Sequence, residues 1–271
     1  MKIPQDYHIH SRFSEDALDS LEALCRQTIK VGIPEIGFSE HWDVGPYEEN
    51  PFFFQPVSWF QEIKRLQTLF TGKLIIRAGL EVAEPHLYGE QFQELLSVFH
   101  FDYIIGSVHW VRSNFMFDES YFSRNSADEI YESYFSELET MVSLSDVDIV
   151  AHFDIPARTG KAIIGYEPTR YKAQIKRILK IIIDRGLTLE INSAGYRKPL
   201  INMMPDPQIV SWYYEMGGRQ ISLGSDAHQV NQIGMHLDRV IGIIANMGFS
   251  CITGFEKRQS LIIPLNSKEE I

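Results

Sequence analysis

Short apolar runs rich in Ile and Val alternate with longer amphipathic segments along nearly the whole chain. The runs at 7–10, 35–39, 73–79, 102–107, 148–151, 188–191 and 220–223 read as strands. Between and after them, 18–31, 57–70, 90–99, 127–143, 170–185, 207–216 and 235–247 read as helices. In 170–185, Ile175, Ile178, Leu179 and Ile182 recur at a period of about 3.6 residues, while Lys172, Lys176 and Lys180 take another face. Gly32, Gly72, Gly186 and Gly217 stand near predicted helix ends, where a left-handed cap favours glycine. Strict strand–helix alternation predicts a parallel sheet, and the number of units favours closure into a β/α barrel. Neither a Pro/Ser-rich linker nor a repeat interrupts the pattern, so residues 1–265 are expected to form one domain and 266–271 a solvated tail.

Composition narrows the class. At 271 residues and 44% hydrophobic, the chain can bury a real core, which excludes disorder, collagen and coiled coil as the main architecture. The net charge of −11 disfavours nucleic acid and anionic membranes as partners. It also sits uneasily with a phosphorylated substrate. The first residues have no apolar stretch of signal-peptide length, and no run approaches the roughly 18 apolar residues of a membrane span. Two cysteines, Cys25 and Cys251, make no disulfide framework, and Cys25 falls inside an amphipathic helix. A cytoplasmic location is expected; the oligomeric state is not legible.

The candidate chemistry lies at the strand ends. The first predicted strand ends in His8 and His10, which period-two geometry points to one face. The next delivers His41, the third Glu81, the fourth His109, the fifth His152 and the last Asp226 and His228. In a closed parallel barrel these ends meet on one face, where such folds place their chemistry. A lone histidine at a strand end is more often a hydrogen-bonded core residue, but the same accident on five strands is far less plausible. His86, His100 and His236 fall in helices or loops and receive no role. Imidazole mixed with carboxylate suits zinc, iron or manganese, and neither cysteine has a ligand-type neighbour that would make a thiolate site. The number of donors exceeds what one or two ions need, so three ions sharing ligands is the natural expectation, with Glu81 able to bridge.

His8-Ile-His10 followed by Asp16, then His41, Glu81, His109, His152 and Asp226-Ala-His228 resemble the polymerase and histidinol phosphatase (PHP) superfamily. Residues 3–265 look like its histidinol-phosphatase branch, with similar motifs around 6–16, 79–81, 106–110, 152–158, 190–197 and 224–228. The resemblance implies a distorted seven-stranded β/α barrel and a trinuclear centre of zinc, iron or manganese. Carried over by position, one ion would take His8, His10, Glu81 and Asp226, and a second would share Glu81 and add His109 and His152. The third would take Asp16, His41 and His228, with Glu15 the neighbouring competitor for Asp16.

The reaction expected from the resemblance is hydrolysis of L-histidinol phosphate, a small-molecule phosphomonoester, by direct attack of metal-activated water. Phosphate monoesters hydrolyse among the slowest of reactions without catalysis, and clustered divalent ions acidify water and bind phosphate oxygens. Asp226 and His228 are the candidates to protonate the leaving alkoxide. Arg158 and Arg197, at strand exits, carry planar forks that match phosphate; Lys161 and Lys198 read as rim residues. Asn192 is a candidate hydrogen-bonding partner of the substrate or a turn residue. For the ammonium and imidazole, the 110–126 loop offers Asp118, Glu119, Phe117 and Tyr121, with Glu119 preferred. The 43–56 loop, with Phe52, Phe53 and Phe54, is a candidate lid or simply packed aromatics. The competing functions are a nucleotide or phosphotyrosine phosphatase and a non-catalytic metal-binding regulator; the size of the ligand set argues against the last.

Overall fold

Ser20 accepts a hydrogen bond from the Ala23 amide and Gly32 turns left-handed at φ +80°, so the first helix is Leu21–Val31 and starts later than its apolar pattern. In the computed structural model, which describes residues 2–197 and 201–265, such local signals set most boundaries. The helices are α1 Leu21–Val31, α2 Pro56–Leu69, α3 Gly89–Val98, α4 Glu119–Arg124, α5 Ala127–Leu144, α6 Ala157–Ile164, α7 Lys172–Asp184, α8 Pro207–Glu215 and α9 Leu237–Asn246. The strands are β1 Glu35–Trp42, β2 Ile75–Ala83, β3 Tyr103–Ser107, β4 Trp110–Val111, β5 Asn114–Phe115, β6 Ile149–Val150, β7 Thr188–Asn192, β8 Ile221–Gly224, β9 Cys251–Glu256 and β10 Gln259–Pro264. Helices α4 and α6 and the hairpins β4–β5 and β9–β10 have no counterpart in the sequence reading, because each is short or lacks a clear period. The tail 266–271 and Lys198 lie outside the described residues.

Six strands form one curled parallel sheet in the order β1-β2-β3-β6-β7-β8. The seventh expected strand, 7–10, is instead two isolated bridges, Asp6 to Ile36 and Ile9 to Ala227. The Ile9 amide donates to the Ser39 hydroxyl rather than to a backbone carbonyl, which breaks the ladder. The segment still bonds both edges of the sheet: Gly37 N donates to Asp6 O on the β1 side, and Tyr7 N to Leu223 O on the β8 side.

Helices cover the outer face, as a parallel sheet requires; the predicted stripe of α7, Ile175, Ile178, Leu179 and Ile182, is wholly buried there. The inner face holds a second cluster of Tyr7, Tyr103, Ile105, Ile149, Ala151 and Phe255. Tyr7 and Tyr103 stack at 4.7 Å, and Tyr103 Oη donates to Tyr7 O at 2.7 Å. Gly37 and Gly79 make that possible, since a Cβ on either would lie 2.1 or 2.2 Å from the Tyr103 side chain. The β9–β10 hairpin supplies Phe255 beneath this layer, and Gln5 Nε2 donates to Thr253 O. One end of the curled sheet is thus packed with aromatic rings, leaving the C-terminal strand ends for polar groups.

Candidate metal centre

Glu81, fully buried on β2, is the hub. Its Oε1 faces His109 Nε2 at 3.3 Å and His152 Nε2 at 3.0 Å. Its Oε2 faces His8 Nε2 at 3.1 Å, His10 Nε2 at 3.6 Å and His41 Nδ1 at 3.0 Å. Five imidazoles from four segments therefore converge on two oxygens, as the strand-end pattern anticipates. His10 Nε2 is also 3.6 Å from Asp226 Oδ1. On the outer side Asp16 Oδ2 lies 2.9 Å from His228 Nε2 and Asp16 Oδ1 3.7 Å from His41 Nε2. Glu15 points elsewhere and accepts from Asn50 Nδ2, so it is Asp16 that faces the histidines.

Several donors are held from behind. Fully buried Glu40 accepts from Ser11 N, Ser11 Oγ, Ser14 Oγ and Trp59 Nε1, pinning the turn that leads to Asp16. Glu84 accepts from His109 N at 2.6 Å, and Glu190 from His152 N at 2.6 Å. Asp226 sits at φ +52°, a left-handed conformation that Asp tolerates better than most side chains.

The charges are arranged for cations. Burial opposes ionisation of Glu81, yet His8, His41 and His109 hold its carboxyl well below the ordinary range. Burial likewise opposes Asp226, and the neighbouring imidazoles of His10, His8 and His228 pull it down. Burial together with His41 and His228 keeps His10 well below its ordinary value, hence neutral. His10 Nε2, His41 Nδ1, His152 Nδ1 and Asp43 Oδ1 are buried without a hydrogen-bond partner. All four of these residues belong to trios of ligand atoms lying within 4.8 Å of one another: His10, His41 and His228; His8, His10 and Asp226; His8, Glu81 and His152; His41, Asp43 and His109. Orphaned nitrogens packed against carboxylate oxygens fit divalent ions with a mixed imidazole and carboxylate preference.

The centre opens into a cavity of about 590 Å³. Arg158 lines it, with Nη1 3.6 Å from Asp226 Oδ2 and its guanidinium 5.1 Å from the Phe117 ring. Glu15, Glu48 and Glu119 line it as well, beside Phe52, Phe53, Phe54, Phe115 and Phe117.

Two expected substrate contacts are placed differently. Arg197 spends Nη1 and Nη2 on the carbonyls of Ser225 and Asp226 and does not line the cavity. Asn192 is fully buried; its Oδ1 accepts from Ala194 N and its Nδ2 donates to Glu190 Oε2, which is the turn role. Asp118 caps α4 through Ser120 N.

Sequence reasoning missed Asp43 and Glu190 as site residues. Asp43 Oδ2 lies 3.6 Å from His109 Nδ1 and 3.8 Å from His41 Nδ1. It follows His41 by two residues, the same spacing that exposed His8 and His10. Glu190 was legible only as a carboxylate inside an apolar strand. Glu48, which accepts from Trp110 Nε1 at 2.5 Å, carried no local signal.

A family model described as PHP domain matches residues 6–194. A relative in Deinococcus radiodurans, named "probable histidinol-phosphatase", is 29% identical over 256 residues, covering 92% of this chain and 95% of its own length. The histidinol-phosphatase of Lactococcus lactis subsp. lactis is 26% identical over 257 residues, covering 92% and 93%. The crystal structure of a histidinol phosphate phosphatase from that organism, complexed with zinc, L-histidinol and phosphate, matches with a TM-score of 0.88. It covers 95% of this chain and 98% of that one at 24% identity, a likeness of fold.

Proposed function

This chain belongs to the PHP domain family, and from that premise we propose that it is a metal-dependent phosphomonoesterase hydrolysing L-histidinol phosphate to L-histidinol and phosphate. The observation that carries the proposal is one cavity holding the imidazole–carboxylate centre and Arg158 beside an acidic, aromatic wall. A substrate with a phosphate dianion at one end and an ammonium and imidazole at the other matches both halves. The near full-length relatives named as histidinol-phosphatases support the same substrate.

Three ions of zinc, iron or manganese would be held by His8, His10, Glu81 and Asp226, by Glu81, His109 and His152, and by Asp16, His41 and His228. Asp43 is a further donor beside His41 and His109. When bound, such ions supply Lewis acidity toward water and the phosphate oxygens. Arg158 binds and orients the phosphate by a charge-assisted hydrogen bond. Arg197 holds the carbonyls of Ser225 and Asp226, so that Asp226 and His228 face the leaving oxygen, to which one of them relays a proton taken from the attacking water. Glu119 and Glu48 attract the ammonium, and the phenylalanines exclude water around the imidazole. Segment 6–10, bonded to both sheet edges, serves as the seventh strand of a distorted barrel formed by residues 1–265 as one domain. No helix among the described residues is long and apolar enough to cross a membrane; a cytoplasmic enzyme without nucleic-acid partners agrees with the charge of −11.

Steady-state kinetics on L-histidinol phosphate, mononucleotides and a phosphotyrosine peptide test the proposal. A clear preference in kcat/KM for histidinol phosphate is expected, because the acidic wall attracts the ammonium next to its phosphate, a group that a mononucleotide lacks. Comparable values on all three would reject the substrate assignment.

A further inference from the structure

Glu190 is 1% exposed, and no Lys or Arg among the described residues forms an ion pair with it. Its Oε1 lies 2.6 Å from His8 Nδ1, while Oε2 accepts from His152 N at 2.6 Å and from Asn192 Nδ2 at 3.2 Å. A carboxylate placed in a core without a cation is costly unless something repays its desolvation. Here three donors converge on it, and two of them belong to residues of the metal centre.

Topology shows how far the side chain reaches. Glu190 stands on β7, between β6, whose end leads to His152, and β8. His8 lies beyond β8, on the segment whose Tyr7 N bonds Leu223 O. Glu190 can cross only because β8 carries Gly224 at that level: a Cβ there would sit 2.2 Å from Glu190 Oε1 and 2.6 Å from His8 Cβ. The missing side chain of β8 is filled by the Glu190–His8 pair.

We infer that Glu190 is a positioning residue that sets the tautomer of His8 and couples it to His152. With both lone-pair-bearing oxygens of Glu190 accepting, the proton of neutral His8 resides on Nδ1. Nε2 then presents its lone pair to the centre, 3.1 Å from Glu81 Oε2 and 4.0 Å from Asp226 Oδ1. A carboxylate behind an imidazole also makes the opposite nitrogen a more basic ligand. Gln cannot replace it, because a carboxamide has one acceptor oxygen and its NH₂ would face either His8 Nδ1–H or the His152 amide. The inference rests on the metal-centre reading above but not on the identity of the substrate.

The test is zinc affinity, measured by competition with a chromophoric chelator on the full chain, for wild type, Glu190→Gln, His8→Ala and the double variant. Loss of a partner behind a ligating histidine typically costs about 10- to 100-fold in metal affinity. Glu190→Gln is expected to show that loss in the equivalent that His8 serves, while the others hold within about threefold. In the His8→Ala background the same substitution is expected to change zinc affinity little, whereas a general structural role would weaken every equivalent in both backgrounds. A second measurement needs no variant: long-range ¹H–¹⁵N correlation of the zinc-loaded wild type should find the His8 ring proton on Nδ1. Unchanged zinc affinity in Glu190→Gln, an equal loss in the His8→Ala background, or a His8 proton on Nε2 would overturn the inference, as would a wild type that takes up no zinc. A wild type that binds zinc as described yet prefers another phosphomonoester overturns only the substrate assignment.

Discussion

Arg197 grips the turn that carries Asp226: Nη1 donates to the Ser225 carbonyl and Nη2 to the Asp226 carbonyl, each at 2.7 Å. The two arginines singled out from the sequence therefore do different work. Arg158→Ala, which removes the cavity's guanidinium, should lower kcat/KM by order 10²-fold, about 2–3 kcal/mol, as for a charged hydrogen bond. It should weaken inhibition by inorganic phosphate in parallel. Arg197→Ala should lower kcat and speed zinc loss to a chelator, because Asp226 at φ +52° loses its restraint, yet leave phosphate inhibition within about threefold. Equal effects of both substitutions on phosphate inhibition would place Arg197 at the substrate after all.

Asp16 and Glu15 are neighbours that separate cleanly. Asp16→Asn should reduce zinc content by one equivalent on elemental analysis, since its carboxylate stands 2.9 Å from His228 Nε2. Glu15→Gln, whose carboxylate is taken by Asn50, should keep the wild-type content.

Removing metal should cost stability as well as activity. The centre packs imidazoles and carboxylates at 0–6% exposure along His8, His10, Glu81, His109, His152 and Asp226, with orphaned nitrogens among them. At free zinc about 1,000-fold above Kd, one site contributes about 4 kcal/mol, which corresponds to a rise in Tm on the order of 10 °C for a domain of this size. Differential scanning calorimetry with and without chelator measures it; re-addition of zinc or manganese should restore Tm and activity together.

The aromatic plug predicts non-additive mutations. Gly79→Ala places a methyl 2.2 Å from the Tyr103 ring and should destabilise by about 1–3 kcal/mol in urea unfolding. In a Tyr103→Ala background the same methyl enters vacated space, so its added cost should fall below about 1 kcal/mol.

Much of the fold and of the site was readable residue by residue. The stripe of α7, the glycine that ends α1 and the strand ends all depend on neighbours within a few positions, so the local pattern reports them; the Ser20 cap, which starts α1 later than its apolar pattern, was not read. His41 and Glu81 stood out because they end runs that a period-two pattern delimits, whereas Asp16, in a turn outside any run, was offered only by the family resemblance. Segment 7–10 reads as a strand by the same logic. It is reduced to bridges because Ser39, remote in sequence, takes the Ile9 amide with its hydroxyl. Asn192 read equally as a substrate partner or a turn residue, and its neighbours Ala194 and Glu190 give it the turn role. Arg197 looked free to meet substrate, since nothing near it in sequence takes its donors; in the fold the Ser225 and Asp226 carbonyls do.

The sequence alone determined the parallel α/β class and the placing of most of the histidines, with Glu81 and Asp226, at strand ends, because side-chain direction along a strand is a local property. Tertiary structure alone decided which polar groups are already spoken for and which remain for ions and substrate. That depends on through-space partners brought together by the order of strands, such as Glu190 reaching His8 across Gly224. No period along the chain encodes such a pairing: it exists only once β7, β8 and the first segment lie side by side.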